Sequence, residues 1–107
     1  MAEPLDVLVF YVPTADTQAV LAPLFEAGAG AIGDYEQCAY VSRGTGQFRP
    51  VGAANPTIGT VGELEFVEED RVELTFPRSL RDRVVAALRE AHPYEEPAFH
   101  VVRNEAS

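Results

Sequence analysis

The stretch Leu5–Val12 reads LDVLVFYV. In an extended chain, successive side chains point to opposite faces. Leu5, Val7, Val9 and Tyr11 therefore share one face, and Leu8, Phe10 and Val12 share the other with Asp6. Both faces are largely apolar, the pattern of a strand covered on both sides. The rest of the chain, or another copy of it, has to supply that cover.

The segments that follow alternate helix and strand. Thr14 or Asp16 is placed to cap a helix, and Val20, Leu21, Leu24 and Phe25 give it an apolar stripe. Pro23 lies inside that stripe and removes a backbone hydrogen bond, which predicts a kink or a late start. Gly28 suits its end. Tyr35–Arg43 reads as a second strand centred on Tyr40 and Val41. Gly44–Gly62 carries five glycines and two prolines and is the least regular stretch. Glu63–Phe76 holds strand material, clearest where Val72, Leu74 and Phe76 alternate with Arg71, Glu73 and Thr75. Ser79 with Asp82 resembles a capping box. Leu80, Val84 and Leu88, with Val85 beside them, outline a second helix that Pro93 ends. Phe99–Val102 makes the last strand.

The order β-α-β-β-α-β is that of a ferredoxin-like split βαβ sandwich, an α+β fold, here with an extended middle hairpin or loop. No linker, repeat or low-complexity tract divides the chain, so residues 1–107 read as one domain. In this fold two helices cover one face of the sheet and leave the other bare. One apolar face of Leu5–Val12 would then meet water in a single copy. Each such side chain is worth roughly 1.5–3 kcal/mol when fully buried. A second subunit over that face is the simplest remedy; the alternative is that the middle segment folds back over it.

Composition narrows the function classes. The chain has 17 acids against 8 bases, a net charge of -9, and every base is arginine. Without lysine there is no Schiff-base chemistry and no P-loop lysine. The acidic surface repels phosphate backbones, so nucleic acid is a poor partner. Cys38 stands alone, which rules out an internal disulfide and a C-x-x-C motif; in its strand it reads as a buried, inert thiol. The N-terminal residues lack the basic start of a signal peptide, and the apolar stretches are too short to span a membrane. The expected compartment is the cytoplasm.

Five stretches carry a resemblance: GAGAIGDYEQCAY (Gly28–Tyr40), GTGQFRP (Gly44–Pro50), ANPTIG (Ala54–Gly59), VEEDRVE (Val67–Glu73) and HPYEEPAF (His92–Phe99). Together they resemble the insertion domain of the YqfO-type, Nif-three-like dinuclear-metal proteins. That domain is similar to the PII signalling and CutA divalent-cation-tolerance proteins, and CutA proteins carry a similar HPYE-x-P segment after their second helix. The resemblance covers nearly the whole chain. It implies a PII/CutA-like subunit and, by analogy, a homotrimer. The larger proteins hold their two metals in the halves flanking this domain, so their ligands and any hydrolase activity do not carry over.

Two segments are candidate sites. In His92–Pro97, the imidazole of His92 and the carboxylates of Glu95 and Glu96 are the residue types that hold a divalent ion. Neighbours in an extended segment point apart, however. The other reading is a rigid, double-proline exit from the helix with His92 hydrogen-bonded locally. In Gly44–Pro50, the glycines Gly44 and Gly46 around Thr45 would let main-chain N–H groups turn toward an anion, Arg49 would add donors with help from Arg43, and Phe48 completes the expected ligand-binding set. PII proteins use a long loop at the comparable place for nucleotide and partner contacts, which implies a small anionic ligand or a partner protein. The other reading is a hairpin connection that packs Phe48 on a neighbouring subunit. Gly28–Gly33 follows a helix, so it reads as a tight turn and not as a dinucleotide loop. His100 faces the sheet surface or an interface. Glu63, Glu65, Glu68, Glu69 and Asp70 read as a solvated rim.

The leading expectation is an oligomeric small-ligand-binding or regulatory module without catalysis. The alternatives are a divalent-metal protein of CutA character and a hydrolase accessory of the larger dinuclear-metal proteins.

Overall fold

In the computed structural model, which describes residues 3–106, the doubly apolar stretch forms strand β1 (Leu5–Pro13). A 3-10 turn at Thr14–Asp16 leads into helix α1 (Thr17–Glu26), followed by strands β2 (Tyr40–Phe48) and β3 (Glu65–Pro77). A second 3-10 turn, Arg78–Leu80, opens helix α2 (Arg81–Ala91), and strand β4 (Phe99–Val102) closes the fold. The sheet order is β2-β3-β1-β4, with every neighbouring pair antiparallel. This is the ferredoxin-like βαββαβ arrangement.

Interior position explains the composition of β1. Leu8, Phe10 and Val12 are fully buried in a core with Val20, Leu21 and Leu24 of α1 and Val84 and Leu88 of α2. On the opposite face Leu5, Val7 and Tyr11 are half-buried. Val9 on that face is buried; its cross-strand partners are Glu73 and His100. The open face is therefore a narrow apolar stripe with polar shoulders, and His100 is exposed on it.

The β2–β3 hairpin is longer than the helices can cover. The radius of gyration is 14.9 Å and the molecule measures 51 × 24 × 24 Å; a compact chain of this length has a radius of about 13 Å. Tyr40, Leu64 and Phe66 of this arm are exposed.

Several local expectations are corrected. The second strand starts at Tyr40, not Tyr35, because a tertiary turn holds the residues before it. Ile32 and Tyr35 exchange N–H···O bonds of 2.9 Å, Gln37 has φ 57°, and the Cys38 N–H donates to the Gly30 carbonyl at 2.8 Å. Cys38 thus lies outside any strand and is half-buried, not sealed in the core. No side chain caps α1. The hydroxyls of Thr14 and Thr17 instead donate to Asp70 at 3.2 and 2.6 Å. Asp70 is accordingly buried and not part of a solvated rim. The Ser79–Asp82 capping box does not form; the Ser79 N–H donates to Glu3 at 2.6 Å. Gly28–Gly33 is a tight turn, with Gly28, Gly30 and Gly33 all at positive φ.

Candidate functional site

Gly44, Thr45 and Gly46 lie inside β2, opposite Glu69, Glu68 and Val67 of β3. Neither glycine has a positive φ. Their backbone is extended and ladder-paired, so the expected loop of N–H groups cradling an anion does not form there. Gly46 has a different use: a Cβ at that position would overlap the side chain of Glu69, which lies across the strand. Arg43 faces Glu68 at 3.3 Å and Asp70 at 3.7 Å. The irregular connection starts only at Arg49. Its base is tied by Arg49 Nε donating to the Gly62 carbonyl at 3.0 Å and by the Gly62 N–H donating to Pro50 at 2.7 Å.

At the far end of α2, Pro93 forbids another turn of helix. His92 is buried there, its ring edge-on to Phe10. Its Nε2 lies 2.6 Å from the Tyr11 carbonyl, and its Nδ1 lies 3.1 Å from the Tyr94 N–H. A carbonyl only accepts and an N–H only donates, so Nε2 carries the proton and Nδ1 supplies the lone pair. In this geometry His92 has no lone pair for an ion. Among the described residues no group of three or more His, Cys, Asp or Glu side chains is placed to hold one. Glu95 and Glu96 are exposed, and Glu95 Oε1 accepts the Asn55 N–H at 3.2 Å.

Tyr94 links the two segments. Its ring stands 5.7 Å from that of Phe48 and 5.2 Å from that of His92, and its hydroxyl donates to Glu69 Oε2 at 2.8 Å. Burial pushes this hydroxyl above its ordinary pKa, and the bond to Glu69 adds to the rise. The Thr57 hydroxyl donates to the Pro93 carbonyl at 2.6 Å, so the connection 49–64 straps down onto the segment after α2.

Strap and segment enclose an open groove of about 380 Å³. Phe48, Arg49, Glu95 and Glu96 line it, whereas Arg43, Gly44, Thr45, Gly46 and His92 do not. His92 acts behind the lining, through its hold on Tyr94. Tyr11, Thr57, Tyr94 and Glu69 also line the groove, so Glu69 belongs to the groove wall and not to a solvated rim. Tyr94 was signalled by its place in the HPYEEP segment; Glu69 carried no local signal.

No family profile matches the chain. The GTP cyclohydrolase 1 type 2 homolog of Mycobacterium tuberculosis is 54% identical over 100 residues, which are 94% of this chain and 26% of that protein. A crystal structure of a Bacillus cereus protein related to NIF3 superposes with a TM-score of 0.80 at 40% identity, covering 98% of this chain and 27% of that one. The divalent ion tolerance protein CutA1 of Ehrlichia chaffeensis superposes with a TM-score of 0.73 at 16% identity, over 100% of this chain and 87% of that one. The likeness to CutA1 is one of fold. The chain spans about a quarter of the length of the larger relatives.

Proposed function

Because this chain is homologous to one segment of the NIF3-related proteins and has the fold of CutA1, we propose that it is a self-associating module that binds a small ligand in the groove under the 49–64 strap. One observation carries the reading. Chain segments 40 residues apart, joined between Asn55 and Glu95, close around a single cavity of about 380 Å³. Cavities of this size with aromatic walls and a few placed polar groups are the usual seats of small molecules. The strap connects two strands of the sheet, so a ligand under it would alter how the hairpin arm is held. That is the basis for a regulatory role.

Self-association is supported by what the arm and the open face expose. Tyr40, Leu64, Phe66 and Val102 are exposed apolar side chains, and β2 is an edge strand of the described sheet, the kind of surface on which copies pair. The proposed subunit number of three rests on the resemblance to PII and CutA proteins. Native mass spectrometry of the purified protein tests both parts together. A trimer that carries, or takes up, a small molecule is the expected result. A single copy at high micromolar concentration would remove the assembly.

A further inference from the structure

Taking the groove as a ligand seat, we infer that its ligand is a small organic cation with a flat apolar body, of the class of protonated arylalkylamines. Phe48 and Tyr94 form one wall, with their rings tilted by 59°, and Val51 and Ile58 extend the apolar surface. Walls of this kind accept a planar hydrophobic body and favour a cation near the ring faces. The polar side is carboxylate: Glu69, Glu95 and Glu96 all line the groove. Glu69 accepts the Tyr94 hydroxyl through Oε2, and Glu95 accepts the Asn55 N–H through Oε1. Oε2 of the exposed Glu95 faces solvent for a ligand, while Glu69 Oε1 lies against the Gly46 backbone and Glu69 contributes its charge to the wall. Arg49 is the one base among the described lining residues, against three carboxylates, and its Nε donates to the Gly62 carbonyl.

An ammonium group there gains charge-assisted hydrogen bonds. A carboxylate or phosphate meets three like charges against the single positive charge of Arg49, a net repulsion. The net charge of -9 works in the same direction at longer range.

Calorimetry on the intact protein with three probes of matched size tests this: phenethylamine, phenethyl alcohol and hydrocinnamate, with NMR signals of Tyr94 and Thr57 reporting the place of binding. The amine is expected to bind roughly tenfold more tightly than the alcohol, and hydrocinnamate more weakly than either. Glu69→Gln and Glu95→Gln should each weaken the amine several-fold, whereas Glu90→Gln on the exposed side of α2 should not. The ranking on the unaltered protein decides the question even where a variant folds poorly. Alcohol or hydrocinnamate binding as well as the amine at the same signals would overturn the cation while leaving the seat. No response to any probe at millimolar concentration would remove the seat itself.

Discussion

The Tyr94 hydroxyl donates to Glu69 Oε2 at 2.8 Å and so pins the segment after α2 to the middle of β3. Gly46 makes room for that carboxylate. Burial, reinforced by Glu69, raises the hydroxyl above its ordinary value of 10.0. A group raised in the folded state contributes fully below its unfolded value, and the contribution is lost as pH climbs through the folded one. Phenolate absorbance should therefore show one tyrosine of the four ionising late, in step with alkaline unfolding. Tyr94→Phe should abolish that late component and lower stability by about 1 kcal/mol. Loss of an ordinary, early-ionising tyrosine in the variant, with the late component kept, would show that the bond is not formed in solution.

Acid acts on the opposite end of β1. Arg78 grips Asp6 through two bonds of 2.9 Å, and the Asn104 N–H adds a third at 3.0 Å. The guanidinium first, and then the Asn104 N–H, hold the Asp6 carboxyl down to about 2 from 3.8. A depressed carboxylate stabilises above its unfolded value, and that stability is lost as pH falls toward the folded one. Chemical denaturation at a series of pH values should show wild type weakening between about pH 4 and pH 2. Asp6→Asn should be weaker at neutral pH and flatter across that window. Equal slopes for the two proteins would count against the assignment.

His92 separates an architectural role from a metal-binding one. Removing it leaves the Tyr11 carbonyl and the Tyr94 N–H without their partners and opens a hole beside Phe10. His92→Ala should cost about 2–3 kcal/mol in thermal or denaturant unfolding. Calorimetric heats with Cu²⁺, Zn²⁺ and Mn²⁺ should be the same for the variant and wild type. Ion binding present in wild type and lost in the variant would restore His92 as a ligand.

These predictions rest on relationships that the sequence showed unevenly. β1 and the end of β3 were legible because their side-chain patterns answer directly to the helix layer that buries Leu8, Phe10, Val12, Val72, Leu74 and Phe76. The end of α2 was legible because proline blocks the helix whatever surrounds it. Tyr35–Gln37 looked like strand because local composition does not reveal a turn held by Gly30. Gly44 and Gly46 looked like loop because glycine count says nothing of Glu69 lying across β2. Thr14 has the local pattern of a cap, and its attraction to Asp70, 56 residues away, is tertiary and leaves no mark in the neighbouring residues. The groove was half legible for the same reason: both of its segments stood out, but their meeting depends on Thr57 reaching Pro93.

Assembly is open to a substitution that spares the single chain. The Phe66 side chain is 59% exposed on the projecting arm, beyond the reach of the helices. Truncating an exposed side chain outside any network changes the stability of a lone subunit by less than about 0.5 kcal/mol. If copies meet along the arm, the same truncation removes buried apolar area from every contact, at roughly 25 cal/mol per Å². Phe66→Ser should therefore leave the circular dichroism of a dilute sample unchanged while lowering the mass measured by light scattering at high micromolar concentration. Tyr40→Ser, at the opposite end of the hairpin and 67% exposed, should act in the same direction if the open face is covered too. Two variants that both keep the wild-type mass and the wild-type melting temperature would place the contact between copies elsewhere on the surface.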